Sequence, residues 1–344
     1  MFVKQKQRWL FFVLSLLGCL SIGIALGIHL KIAAIPQEFR GTIVRSGSYK
    51  FINPILLCEI VGEKAEIEEL IPIKTRLNVL VKDTVQRGDA DSVALYLRAL
   101  NSGRWIGINE HETFSPASML KVVNMIAYLK LAEEDPLLLG QSLVYDGSFD
   151  EDTKQQIKNS APLVPGKTYT IAELINNMIR TSGNNARALL KRHLGALQGP
   201  YYLNEIYDDL LLPDPRPDAF DYMSPKEYSV IFRVLYNGTY LSATSSERAL
   251  GILQKTEFRD GLVAGVPSQI AVAHKFGERE ISLPDKPPLN EFHDCGIVYY
   301  PGHPYFLCVM TKGRDSDRLQ KVIQDISRSV YTEMDRFYTS EEQQ

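Results

Sequence analysis

Apolar residues in this 344-residue chain fall into one unbroken run near the start and a series of periodic segments after it. From Trp9 to Ile28 no residue is charged, and only Ser15 and Ser21 stand out among apolar residues, glycines and Cys19. As a helix, such a run spans about 30 Å, the hydrocarbon thickness of a bilayer. A transmembrane helix is therefore expected over residues 9–30. Lys4, Lys6 and Arg8 precede it, so the positive-inside rule leaves residues 1–8 in the cytoplasm and sends everything after Lys31 outside. A cleaved signal peptide competes with the anchor, but the run is long for an h-region and no small-x-small site closes it.

Residues 31–63 contain Pro36, Gly41, Gly47 and Pro54 without periodicity and read as a stalk. A helix should follow, with Ile67, Leu70, Ile71, Leu77, Leu80 and Val81 on one face. Ser92–Leu100 and Arg104–Ile108 flank Asn101-Ser102-Gly103, a hairpin signal. The next helix is predicted from Ser115 to about Glu133, with Ser115 as N-cap and Pro116 in the first helical position. Capping boxes at Thr170-Ile171-Ala172-Glu173 and Ser224-Pro225-Lys226-Glu227 open two more helices, and another is expected from about Ser246 to Lys255.

Strands return at Ile270–Phe276, Phe292–Tyr300 and Tyr305–Thr311, the last two joined by Pro301-Gly302-His303-Pro304. A closing helix carries Leu319, Val322, Ile323, Ile326, Val330 and Phe337. Strands at both ends with helices between them predict an α/β (α+β) fold. An antiparallel sheet is built from both chain ends and flanked by terminal helices, with an all-helical subdomain inserted over about 115–265. The domain would run over 64–338, with residues 339–344 as a tail.

Charge narrows the functions. The chain has 38 Lys plus Arg against 41 Asp plus Glu, a net charge of -3, and lacks the basic excess of a nucleic-acid binder. Without Lys4, Lys6 and Arg8 the remainder carries 35 bases against 41 acids, so a locally cationic site would stand out. The histidines at 29, 111, 193, 274, 293 and 303 show no paired metal-ligand spacing, and no glycine-rich phosphate loop occurs. Neither metal nor cofactor is expected. Leu16-Leu17-Gly18-Cys19 also fits a lipidation signal, although apolar residues continue for nine positions beyond it. Cys58, Cys295 and Cys308 are an odd set that implies no disulfide framework; Cys295 and Cys308 could lie on neighbouring strands, bonded or as buried thiols. His293-Asp294 reads as a structural hydrogen-bonding pair near the cleft, and His274 can face either way.

Three short motifs carry chemistry. Ser118-Met119-Leu120-Lys121 places a hydroxyl and an amine on one face of a helix start. A serine needs a base beside it, and a lysine serves when burial or neighbouring cations lower its pKa. The first helical turn adds unpaired N–H groups suited to a developing oxyanion. One S-x-x-K arises by chance about once in a chain of this length, so its companions matter. Ser182-Gly183-Asn184 lies where an amphipathic helix breaks, which can project a hydroxyl and an amide into a cleft. Lys275-Phe276-Gly277 ends an apolar strand, and the glycine permits close backbone approach by a ligand.

In that order the motifs resemble the S-x-x-K, S-D-N and K-T-G of the penicillin-recognising serine enzymes, class A β-lactamases above all. The resemblance covers about residues 64–338, including the order of strands and helices. It implies Ser118 as the acylated nucleophile and Lys121 as its general base. Ser182 would relay a proton to the leaving nitrogen, and Asn184 would hold Lys121 and the substrate amide. Lys275 would attract a substrate carboxylate beside Gly277, and the N–H groups of Ser118 and Glu278 would form the oxyanion hole.

The departures bear on turnover. Gly183 replaces the central Asp of S-D-N, and Phe276 removes the hydroxyl of K-T-G that would bind a carboxylate. The E-x-x-L-N glutamate that activates the deacylating water in class A enzymes is missing, because Pro200 precedes Leu203-Asn204. Asp214, Asp218 and Asp221 in the short, proline-rich stretch 211–223 read as loop residues. The expectation is a membrane-tethered serine hydrolase outside the bacterial cytoplasm, acting on a β-lactam or a related acyl-amide. A penicillin-binding D-alanyl-D-alanine peptidase acting on peptidoglycan stem peptides is the first alternative. A silent module that binds cell-wall peptides or a protein is the second.

Overall fold

The computed structural model describes residues 49–53, 70–213, 215, 221–282 and 287–341. The apolar run at 9–30 lies outside them, as do Cys19, Cys58, Ile67, Asp214 and Asp218; among the described residues no helix is long and apolar enough to cross a membrane.

The elements follow in order: α1 (Ile71–Gln86), β1 (Ser92–Ala99), β2 (Trp105–Ile108), a 3-10 turn at Ala117–Leu120, α2 (Lys121–Glu134), β3 (Ser142–Val144) and β4 (Thr168–Thr170). Then come α3 (Ile171–Arg180), α4 (Asn184–Gln198), α5 (Tyr202–Asp209), α6 (Pro225–Asn237) and α7 (Ala243–Leu253). The chain closes with β5 (Val272–Ile281), β6 (Leu289–Val298), β7 (Tyr305–Gly313) and α8 (Ser316–Glu341). The main sheet is antiparallel in the order β2-β1-β7-β6-β5, so both chain ends contribute to it and β5 is an edge.

Strand alternation divides the core between the two faces of this sheet. Val93, Leu95 and Leu97 of β1 join Leu77 and Val81 of α1 and Leu319, Ile323, Ile326 and Val330 of α8. Ala94 and Tyr96 join the opposite core, with residues of α2, α3, α6 and α7. The body of α2 is buried from Val122 to Leu129, apolar but for Asn124 and the Tyr128 hydroxyl, which makes it the central post of the helical layer.

Both capping boxes form: Thr170 with Glu173 opens α3, and Ser224 with Glu227 opens α6. Other expectations need correction. Ser115 does not cap a helix, because α2 starts only at Lys121 after the 3-10 turn, and the backbone turns left-handed at Ala117, φ 47°. β5 does not end at Gly277 but continues to Ile281, because Glu278, Arg279 and Glu280 pair with Phe292, Glu291 and Asn290. Ile71, placed on the apolar face of the first helix, is half exposed. Cys295 and Cys308 stand opposite one another on β6 and β7 and form a disulfide. Within the segment read as a stalk, the backbone N–H groups of Lys50, Phe51 and Ile52 donate to the Glu247 carboxylate on α7.

Candidate active site

Ser118 is half-buried in the 3-10 turn, and Lys121 is the first residue of α2. Lys121 is only 1% exposed. Its Nζ donates to the Ser182 carbonyl at 2.5 Å and to Asn184 Oδ1 at 2.7 Å, and lies 3.0 Å from Ser182 Oγ. Lys275, fully buried on β5, reaches the same Ser182 Oγ at 3.0 Å and donates to the Phe276 carbonyl at 3.0 Å. Two lysines from different layers of the fold thus converge on one hydroxyl. Ser182 itself sits at φ 58°, a left-handed conformation rare for a residue with a β-carbon.

Burial is the main cause that holds Lys121 well below the usual lysine range. The charges of Lys275 and Arg187 push the same way, while Asp152 and Glu278 oppose them. Burial also lowers Lys275, to about 7, against the pull of Asp294 and Glu278. Lys121 is thereby suited to lose its proton, which a general base requires.

The S-G-N segment is held by a partner that no local motif announces. Asp152 Oδ1 accepts from the N–H groups of Asn184 at 2.6 Å and Asn185 at 2.9 Å, capping α4 from a distant loop. A β-carbon at 183 would meet Asn177 Oδ1 at 2.0 Å and Asn159 Nδ2 at 2.9 Å, so any side chain here must displace the Asn177 amide. The same loop continues across the cleft. Gln155 donates to the Ser182 carbonyl at 2.5 Å, Gln156 to Asn290 Oδ1 at 3.1 Å, and the Ile157 N–H to Glu278 Oε1 at 2.9 Å. Residues 155–157 therefore tie the start of α4 to β5 and β6. Burial raises the Glu278 carboxyl above its ordinary pKa, against the backbone donors of Ile157 and Gln156 and the two lysines.

Of the residues singled out by sequence, Lys121, Ser182, Asn184 and Lys275 meet in one cluster, with Ser118 on the adjoining turn. Gly277 permits a close approach, but of the protein's own backbone: a β-carbon there would lie 2.7 Å from the Pro116 carbonyl. The side chain of Glu278, named only for its N–H, clasps the loop. His274 bonds Asp294 at 2.8 Å on the far side of the sheet, whereas His293 turns toward Ser115, so the expected His293–Asp294 pair is not formed. Asp221 is engaged by Lys312. Asp152, Gln155 and Ile157 escaped sequence reading because their partners lie 27 to 121 positions away.

The pattern of the beta-lactamase enzyme family matches residues 72–334, from α1 to α8. The chain belongs to that family. Solved structures of similar fold include a PBP-A variant described as an acyl-enzyme complex with penicillin G, which has a TM-score of 0.63 and 24% identity and covers 78% of this chain and 97% of that one. The TLA-3 extended-spectrum β-lactamase has a TM-score of 0.65 and 18% identity, covering 76% of this chain and 98% of that one. A β-lactamase from Chitinophaga pinensis has a TM-score of 0.62 and 20% identity, covering 76% and 99% respectively. A search of curated proteins found no match.

Proposed function

We propose that this β-lactamase-like protein is a serine acyl-transfer enzyme that opens β-lactams, or related acyl-amides, by acylation of Ser118. The observation that carries the reading is the convergence of the buried Lys121 and Lys275 on Ser182 beside the Ser118 turn. Neutral Lys121 takes the Ser118 proton as Oγ bonds to the carbonyl carbon. The C–N bond then breaks, and the proton passes through Ser182 to the leaving nitrogen. The N–H groups of Ser118 and Glu278 hold the oxyanion, Asn184 orients Lys121 and the substrate amide, and Lys275 supplies positive potential.

A second reading is favoured by the loop before α6. Asp221, its one described acid among those named above, is committed through Oδ2 to Lys312. Deacylation is then slow, and toward β-lactams the protein behaves as a penicillin-binding peptidase of peptidoglycan. A PBP-A variant, similar in fold, is described with penicillin G bound as an acyl-enzyme. We also place the catalytic domain outside the bacterial cytoplasmic membrane, tethered by residues 9–30, a proposal that rests on the charge-free run from Trp9 to Ile28.

The full-length chain incubated with a membrane-impermeant fluorescent penicillin separates the two readings. Transient labelling with turnover indicates a β-lactamase, and persistent labelling indicates a penicillin-binding peptidase. Ser118→Ala should label in neither case, and labelling that survives this substitution would remove Ser118 from the reaction. Labelling in intact spheroplasts is expected, and labelling only after lysis would overturn the external placement.

A further inference from the structure

Ser115, three residues before Ser118, is held at each of its polar groups by side chains of the sheet. Its N–H donates to Glu291 Oε2 at 3.3 Å, its carbonyl accepts from His293 Nε2 at 3.0 Å, and its hydroxyl accepts from Arg279 at 2.8 Å. The Thr311 N–H donates to His293 Nδ1 at 3.2 Å, which leaves the proton of the neutral ring on Nε2, facing Ser115. In the ladder of β5 and β6, Arg279 stands opposite Glu291 and Gly277 opposite His293, so all three partners share the face that bears Lys275. Glu291 is 1% exposed and His293 fully buried.

Glu291 ties this clamp to the rest of the cleft. Lys312, opposite it on β7, lies 3.0 Å from Glu291 Oε1 and also pairs with Asp221 in the segment that enters α6. That segment is laced to Phe114, the residue before Ser115. The Phe114 N–H donates to the Met223 carbonyl at 3.0 Å, and the Met223 N–H donates back at 3.2 Å. The shortened loop, the sheet and the Ser118 turn thus meet at one carboxylate. Burying a carboxylate is costly compared with an apolar residue of similar volume, so stability alone does not account for it. The turn it supports needs support, because Ala117 at φ 47° stores backbone strain whose release would swing Ser118.

We propose that Glu291 is a positioning residue. Braced by Lys312, its carboxylate fixes the backbone of Ser115 and through it the strained turn that presents Ser118. The proposal rests on Ser118 being the acylated residue.

The test uses the full-length chain and a fluorescent penicillin over a range of concentrations. In Glu291→Ala the acylation rate at saturation should fall roughly 30- to 100-fold, the scale set by a misplacement of about 1 Å, while the half-saturating concentration moves less than about threefold. Glu291→Gln, which keeps the acceptor and the length, should recover most of the rate. If Glu291→Ala does not fold, Glu291→Asp replaces it with the same expectation. A rate per folded molecule equal to wild type, or a loss that falls on half-saturation alone, overturns the proposal. If wild type is not labelled, the acylation reading is what fails, and the clamp is read from amide hydrogen exchange instead. Glu291→Ala, or Glu291→Asp in its place, should then exchange faster over residues 115–120 than wild type with α8 unchanged, and unaltered exchange there overturns it.

Discussion

Lys121 and Lys275 share Ser182 Oγ but differ in what surrounds them. Lys275 repels Lys121, and Asp294 on the far face of the sheet helps Lys275 keep its proton. With its pKa lowered to about 7, Lys275 carries its charge below neutrality and loses it as pH rises. If that charge attracts an anionic penicillin, the half-saturating concentration should worsen above about pH 7. Lys275→Arg stays protonated across that range and should remove this trend. Half-saturation is the quantity to measure, because the rate of attack also depends on the protonation of Lys121, which burial holds well below the usual lysine range. A half-saturation that is flat with pH in wild type would contradict the role given to Lys275. The residue types of this cluster were legible from three short motifs in order. Their supports were not, because Asp152, Glu291 and His293 act on backbone groups far away in sequence and no spacing rule reaches them.

Among the elements, those legible in the sequence are the ones whose determinants are local. Both capping boxes form because all their atoms lie within four residues. Ser115-Pro116 also looks like a local helix start, but the Ser115 hydroxyl is taken by Arg279, 164 positions away, and the helix begins later. The apolar run of β5 stops at Phe276, while its length is set by the ladder to β6. The disulfide of Cys295 and Cys308 likewise depends on register, which one strand's pattern does not fix. The junction of α3 and α4 makes a sharper claim. Gly183 has φ -56°, open to any residue, so space rather than backbone freedom keeps it glycine. Gly183→Ala should lower stability in a urea melt by about 1–3 kcal/mol through crowding of Asn177. Adding Asn177→Ala should return part of the loss, and an unchanged midpoint in the single variant would show that the loop yields freely.

Across the whole described domain, the two cores lie on opposite faces of the sheet, the Lys121–Lys275 cluster lies on the face of the helical layer, and buried titratable groups make stability depend on pH. Burial lowers His293 to about 4 from an ordinary 6.5. The unfolded chain therefore takes up the proton first as pH falls, and the folded state loses up to about 3 kcal/mol between those values. Glu291, raised to about 7 by burial, acts in the opposite sense over part of the range, so wild type must be compared with His293→Gln. The stability difference between the two should shrink as pH drops from about 6.5 to 4, and a difference that ignores pH would contradict a neutral, tautomer-fixed His293.

The central claim concerns one bond, between Ser118 Oγ and the carbonyl carbon of an opened β-lactam. Peptide mapping by mass spectrometry after incubation with penicillin G tests it most directly. The account predicts the mass of one intact penicillin on the peptide containing Ser118, lost in both Ser118→Ala and Lys121→Ala proteins that remain folded. An adduct on any other residue, or none at saturating penicillin, would contradict it.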